Sequence, residues 1–330
     1  MKKTLCLVLA VLMVFTVVLT GCGKKADGDN GEKKTEKIIL TTGGEAGTYY
    51  GYCTAMSGVL TDNTGIEFKV LTSGGSKANI QRIQVEDANM AIVQNDVMYY
   101  AYTGTDLFTG EQTQDFSAMA VLYPELCQII ATKESGIKTV ADLKGKRVSV
   151  GDAGSGVEFN AKQILEAYGI DMDKDIEKQN LGFDASADAL KDGKIDAFFC
   201  VAGIPTTAIT TLALNNEIEV VEVEDDKFEE LASKYGFYTK QIVPAGTYTG
   251  VDEDKQTVAV MATYIVDNDL SEETVYNMTK AMFENKDAII AVHKKGEELD
   301  VNKAIEGIPA EVPLHPGAAK YYKEVGVLAE

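Results

Sequence analysis

Four short stretches place glycine beside hydroxyl, amide or carboxylate side chains where a β-like run gives way to a helical one. They are Gly43-Gly44-Glu45-Ala46-Gly47-Thr48, Ser73-Gly74-Gly75-Ser76, Gln94-Asn95-Asp96 and Gly151-Asp152-Ala153-Gly154-Ser155-Gly156. The first N–H groups of a helix lack internal partners, and the helix dipole favours an anion at that end. Glycine lets backbone approach a small molecule closely, although tight turns and helix caps call for the same residue. A single turn of this kind says little; four at equivalent places argue for a binding site made of backbone N–H groups and hydroxyls. Gly47, Gly75, Gly154 and Gly156 are the candidate backbone contacts, and Thr48, Ser73, Ser76 and Ser155 the candidate hydroxyls. Asn79 and Gln94 suit polar substituents of a solute. Tyr49 and Tyr50 offer ring surface and a phenolic donor, and because adjacent helical residues diverge, one of the two is expected inside.

Several of these residues have a structural reading of equal weight. Ser155 and Glu158 have the S-x-x-E spacing of a capping box, which leaves Glu158 bound to backbone or to solute. Asp96 reads equally as a helix cap or a ligand contact. Arg82, two turns into its helix, is expected to be peripheral. His293 is expected to be solvated near a helix end, and His315, between Leu314 and Pro316, to hold a turn. A thiol hydrolase built on Cys53 would need a base, and neither histidine has a neighbourhood that offers one. There is no G-x-S-x-G elbow, no phosphate loop of the G-x-x-x-x-G-K-[ST] type and no H-E-x-x-H pair. The chain is therefore expected to be a binding protein with no catalytic residues, no cofactor and no metal.

These turns must be held by an α/β scaffold. Strands are expected over 38–42, 68–71 and 90–93, with helices over 48–60 and through Ile80 and Ile83 between them. That βαβαβ rhythm implies a parallel sheet with helices on both faces, whose ligands lie outside the carboxyl edge. A second cycle has strands over 146–150 and 195–201, with helices over 157–168, 187–191 and 204–214. Two long β-like runs, 116–132 and 257–266, read as strands crossing between the units as a two-stranded hinge. Ser271-Glu272-Glu273 starts a further helix, whose Val275, Met278 and Met282 form a packing stripe. The expected fold is a bilobal periplasmic-binding-protein-like α/β fold. Lobe 1 comprises residues 38–122 and 257–330, and lobe 2 residues 123–256.

Lys2 and Lys3 precede an apolar run over 5–19 that is too short for a confident membrane span and reads as a signal-peptide core. It ends in Leu19-Thr20-Gly21-Cys22, which resembles the lipobox of bacterial lipoproteins. Residues 1–21 are then a removable leader and Cys22 the lipid-acceptor position. A polar tether over 22–37 leads to the folded part. The protein is expected outside the cytoplasm, lipid-anchored to the cell membrane. Cys53, Cys127 and Cys200 lack CxxC spacing and read as small buried hydrophobes. With 31 basic and 51 acidic residues the formal net charge is −20, which argues against nucleic acid as a partner.

Taken in order, these segments resemble the TAXI receptors, the solute-binding components of a class of TRAP transporters. The resemblance runs from Thr42-Gly43-Gly44 and Gly47-Thr48-Tyr49-Tyr50 through Thr72-Ser73-Gly74-Gly75-Ser76, Asn79, Gln94 and Asp96. It continues in Leu143-Lys144-Gly145-Lys146-Arg147-Val148, Gly154-Ser155-Gly156-Val157-Glu158 and Gly193-Lys194-Ile195-Asp196-Ala197, and in Gly203-Ile204-Pro205-Thr206 and Leu314-His315-Pro316-Gly317-Ala318. It implies a two-lobed receptor that closes on a small acidic solute or amino acid, such as glutamate, glutamine or a related dicarboxylate. The solute would pass to a membrane TRAP permease driven by an ion gradient. It also adds Gly203 and Thr206 to the candidate contacts. Glu45-Ala46 departs from the family, which often has small residues there. A Glu45 carboxylate facing the pocket would oppose an anionic ligand or pair with an ammonium. The alternative partner is a signalling protein, to which the same closed receptor would dock as a sensor.

Overall fold

The computed structural model describes residues 37–329, so the leader, Cys22 and the tether up to residue 36 lie outside the described residues. Lys37, assigned above to the tether, already pairs with Glu67 as the first residue of β1 (Lys37–Thr41). The chain then runs through α1 (Thr48–Thr64), β2 (Glu67–Leu71), α2 (Ser76–Gln84), β3 (Met90–Gln94) and α3 (Asn95–Thr103). β1 lies parallel to both β2 and β3. β3 reads Met-Ala-Ile-Val-Gln and is buried along its whole length, as expected of a parallel strand covered on both faces. α1 stops at Gly65, whose φ of +72° lets its N–H turn back to the Thr61 carbonyl.

β4 (Phe116–Thr132) follows, an almost continuously buried strand of 17 residues. The second α/β unit comprises β5 (Arg147–Ser149), α4 (Gly156–Ala167), β6 (Glu177–Gln179), α5 (Phe183–Lys191), β7 (Ala197–Ala202), α6 (Thr207–Ala213), β8 (Ile218–Val221), α7 (Asp225–Tyr235) and β9 (Thr239–Val243). β10 (Lys255–Asp267) returns antiparallel to β4, and α8 (Glu272–Glu284), α9 (Lys286–Val292) and α10 (Pro316–Glu324) complete the chain. The sheet order is β2-β1-β3-β10-β4-β7-β5-β6, with β8 on β4 and β9 on β10.

β4 and β10 each serve both halves of the sheet. β10 pairs with β9 over Lys255–Ala259 and with β3 over Ala262–Val266. β4 pairs with β10 from Phe116 to Leu126, then with β7 from Leu126 to Ala131. The β4–β10 register shifts twice, at Ala262/Thr263 and Tyr264/Ile265, and such irregularities bend a strand pair. These are the two crossing strands of a bilobal α/β fold. Apolar side chains gather into separate clusters on each side of that crossing, one holding Tyr52, Met56 and Ile92, another Val148, Ile164 and Phe199. Val275, Met278 and Met282 of α8 are wholly buried in the first of these, with α1 alongside.

Some local expectations are corrected. α5 starts at Phe183, four residues before the expected 187, because Gly182 provides its N-cap and Asp184 sits in its first turn. α6 starts at Thr207 and not at 204, since a residue before proline is kept out of the helical region and the extended Thr206 is the N-cap. His293 is not simply solvated. It is half-buried, edge-on to Tyr52 at 5.4 Å between centroids, and its Nδ1 accepts from the Lys295 N–H.

Candidate functional site

The carboxyl ends of the strands on either side of the β4–β10 crossing open onto a cavity of about 550 Å³. Four helices point their N-termini at it. Gly47, Thr48 and Tyr49 belong to the start of α1, Gly75 and Ser76 to α2, Ser155 and Gly156 to α4, and Gly182, Phe183 and Asp184 to α5. No side chain caps α1, α2 or α5, so their leading N–H groups remain available to an anion. The starts of α2 and α4 face each other closely. A Cβ built on Gly75 would stand 4.0 Å from Ser155 Cβ.

Of the residues selected above, Gly47, Thr48, Tyr49, Ser73, Gly75, Ser76, Gln94, Ser155 and Gly156 line this cavity. Tyr49 lines it and Tyr50 does not. Asn79 sits behind it and is fully engaged: Thr41 Oγ1 and Ser73 Oγ donate to its Oδ1, and its Nδ2 donates to the Thr42 and Ile92 carbonyls. Ser73 Oγ also accepts the Gly75 N–H at 2.9 Å, so this hydroxyl orders the turn that presents the α2 N-terminus. Ser76 Oγ accepts the Gln94 N–H at 3.1 Å. Ser155 Oγ caps α4 through the Glu158 N–H, while Glu158 accepts from the Gly154 N–H at 2.6 Å and from Lys178 and Asn180. Glu158 and Gly154 are thereby bound to each other and stand outside the lining. Arg82 also lies outside it and donates to Thr41 Oγ1 and the Thr72 carbonyl.

Of the remaining candidates, Gly203, Gln94 and Asp96 join the two sides of the cleft, while Thr206 bonds within its own side. Thr48 Oγ1 donates to the Gly203 carbonyl at 2.8 Å, and the Ala208 N–H donates to the Ala46 carbonyl at 3.1 Å. Thr206 is buried, its Oγ1 accepting from Gln128 and its N–H donating to Tyr248 Oη. Gln94 Nε2 donates to Asn160 Oδ1 at 2.5 Å, and Asn160 Nδ2 donates to Asp96 and to Tyr238 Oη, both at 2.9 Å. Asp96 is wholly buried in this network, and burial pushes its carboxyl up to about 6 against the hydrogen bonds from Asn160 and Val97. A Cβ on Gly156 would stand only 1.7 Å from Gln94 Oε1. Residues of the two α/β units are therefore in contact beside the cavity.

The residue reading missed most of the acidic lining. Glu125 of β4 lies at the cavity floor, 2 % exposed, and accepts from Tyr49 Oη at 2.6 Å. Burial, reinforced by Asp96, holds its carboxyl well above the usual range, with Tyr49 and Lys295 opposing. Its signal in the sequence was a lone carboxylate inside an otherwise apolar run. Asp152 and Asp184 flank Gly182, and burial together with Asp184 raises the Asp152 carboxyl. Glu45, Asp152 and Asp184 are exposed at the rim. Among the described residues lining the cavity there is no lysine, arginine or histidine.

Cys53 lies in the core, not in the cleft. Burial pushes its thiol up to about 12 and Tyr264 Oη donates to Sγ, so a thiolate nucleophile is not formed there. Cys53, Cys127 and Cys200 are free and buried. His315 caps α10 through Nδ1 and meets the Leu270 carbonyl through Nε2. Among the described residues, no group of three or more His, Cys, Asp or Glu is arranged for a metal ion, and no helix is long and apolar enough to cross a membrane.

Comparison with known proteins agrees with this architecture. Over 250 residues the chain is 27% identical to the arginine-binding extracellular protein ArtP of Bacillus subtilis (strain 168), a match covering 72% of this chain and 86% of that protein. The periplasmic aliphatic sulphonate binding protein SsuA from Escherichia coli superposes with a TM-score of 0.50 at 14% identity, covering 87% of this chain and 83% of that one. A binding-protein component of an ABC phosphonate transporter from Pseudomonas aeruginosa does so with a TM-score of 0.50 at 13% identity, covering 79% of each chain. The sequence model of the NMT1-like family matches residues 40–326, nearly the whole folded part. A two-lobed sheet crossed by β4 and β10, a cleft at its carboxyl edges and that match lead to one assignment: the chain belongs to the NMT1-like family and has the fold of the periplasmic solute-binding proteins.

Proposed function

We propose that the protein is the extracytoplasmic capture component of an uptake transporter, closing its lobes on one carboxylate-bearing solute of amino-acid size. The observation that carries this reading is the cavity of about 550 Å³ onto which four helix N-termini converge. Cavities of a few hundred Å³ suit small molecules, and uncapped helix starts suit a carboxylate. The arginine bound by the Bacillus relative supports an amino acid as the solute class. The lobes in this reading are residues 38–122 with 257–330, and 123–256, moving about β4 and β10. The site is Gly47, Thr48, Tyr49, Gly75, Ser76, Ser155 and Gly156, with Gln94 and Gly203 joining the lobes. Binding should compact the chain in small-angle scattering and raise its unfolding temperature. A solute at a hundred times its dissociation constant adds about 2.7 kcal/mol. An unchanged scattering profile with a solute that binds would count against a hinged receptor.

The finer reading is a TAXI-type receptor serving a TRAP permease, on the motifs given above, with glutamate, glutamine and related dicarboxylates as that class's solutes. An ABC permease is the second reading, favoured by the assembly named for the Pseudomonas structure. Solute uptake that collapses with the ion gradient but survives ATP depletion supports TRAP, and the reverse supports ABC. We place the anchor at Cys22, which lies outside the described residues. Cys22→Ser should release the protein from membranes or block its processing, without altering solute affinity. Membrane recovery of a fully processed Cys22→Ser chain would refute the lipid tether.

A further inference from the structure

We propose that the cavity selects a solute bearing an ammonium or guanidinium group as well as a carboxylate, and rejects dicarboxylates that lack a cation. The inference rests on the capture reading above and narrows its solute. Its first ground is the chemistry of the lining, which contains Glu45, Glu125, Asp152 and Asp184 and no basic side chain. A second anion in this cavity would meet carboxylates and no basic side chain.

The second ground is that these carboxylates are not spent on the protein itself. Glu125 is 2 % exposed, and among the described residues the only hydrogen bond to its carboxylate comes from Tyr49 to Oε2, which leaves Oε1 without a partner at the cavity floor. Lys295, the cation whose charge reaches Glu125, is held by Glu298 at 2.6 Å. Asp152 and Asp184 share one wall. A Cβ on Gly182 would lie 3.4 Å from Asp152 Oδ2 and 3.5 Å from Asp184 Oδ1. No hydrogen bond or ion pair reaches either of these side chains, or Glu45, among the described residues. Asp184 gains something from the α5 dipole, but Asp152 and Glu45 sit in turns and gain nothing comparable. Two like charges on one wall are unfavourable until a cation arrives.

The third ground is polarity. The uncapped α1 and α2 starts offer N–H groups to a carboxylate and the acids offer carboxylates to a cation, so the cavity matches a zwitterion or a cationic amino acid.

The test is calorimetry on the purified protein with L-arginine, L-lysine, L-glutamine, L-glutamate, glutarate and 2-oxoglutarate. At least one amine-bearing probe should bind thirtyfold or more tighter than glutarate and 2-oxoglutarate. Glu125→Gln, which still accepts from Tyr49, should weaken that probe by roughly ten- to a hundredfold. The rim variant Asp152→Asn with Asp184→Asn, at exposed positions that do not threaten folding, should weaken it as well. If glutarate or 2-oxoglutarate compacts the protein and binds within tenfold of the best amine-bearing probe, the cation requirement is overturned and the receptor reading stands. If no probe binds or compacts the protein, both fail together.

Discussion

Gly156 shows how tightly single atoms are fitted where the lobes meet. A methyl group there would stand 1.7 Å from Gln94 Oε1 and 2.9 Å from Val97 Cγ2, across the cleft from α4. Those neighbours belong to the first α/β unit, and in the hinged-receptor reading proposed above the clash arises only when the cleft is shut. Gly156→Ala should therefore spare folding while weakening solute binding by about one to two decades, the effect of roughly 1–3 kcal/mol of overpacking on the closed form alone. Affinity and unfolding temperature, measured on the same preparation, separate the two effects. Ser155→Ala should behave differently, because its hydroxyl caps α4. It should lower stability of the unliganded protein by about 1 kcal/mol, visible in denaturant unfolding. The sequence exposed both residues as members of a glycine-rich turn but could not divide their roles. Ser73 and Asn79 looked like solute contacts because their side chains can bond anything polar; the fold uses that capacity on Thr42 and Ile92.

At the scale of elements, strand-to-helix alternation was readable because parallel strands buried on both faces are runs of apolar residues. β4 coincides with the expected crossing run over 116–132 for that reason, and β10 extends only slightly beyond 257–266. β6 and β9 escaped notice because they are short edge strands rich in polar residues, Glu-Lys-Gln and Thr-Lys-Gln-Ile-Val, with no periodic signal to reveal them. The join between β3, α3 and α4 was equally invisible, since it depends on which lobe faces meet. Asp96 is its titratable centre, and its carboxyl is raised from 3.8 to about 6, chiefly by burial. The folded state then binds more protons than the unfolded state between those values, so this group's effect on stability turns unfavourable as pH climbs from about 4 to about 6. Asp96→Asn should remove that slope and raise stability at pH 7, by at most about 3 kcal/mol for a shift of this size. Thermal unfolding from pH 4 to 8 measures it, and an unchanged slope would mean that Asp96 is not desolvated in solution.

The whole molecule carries a formal charge of −20, and three of its acidic residues, Glu45, Asp152 and Asp184, stand at the rim of the cleft entrance. Composition alone gave the sign of the global field but not its relation to the mouth of the cleft, because the local arrangement depends on how turns from two lobes converge. Clefts lined by one sign of charge focus the field and change the rate at which charged solutes arrive. An arriving cation should be accelerated and an arriving dianion slowed, and salt should erase both effects. The screening length falls from about 30 Å at 0.01 M salt to about 8 Å at 0.15 M, so rim charges act over the whole approach only at low salt. Stopped-flow association of L-arginine, followed by tyrosine fluorescence, should therefore slow severalfold between those salt concentrations, while its dissociation rate changes little. A dicarboxylate that bound would show the opposite salt dependence. Neutralising the rim with Asp152→Asn and Asp184→Asn should flatten the dependence for arginine, leaving the weaker contribution of the net charge. An association rate for L-arginine that rose with salt would contradict an electronegative entrance, whatever the affinity proved to be.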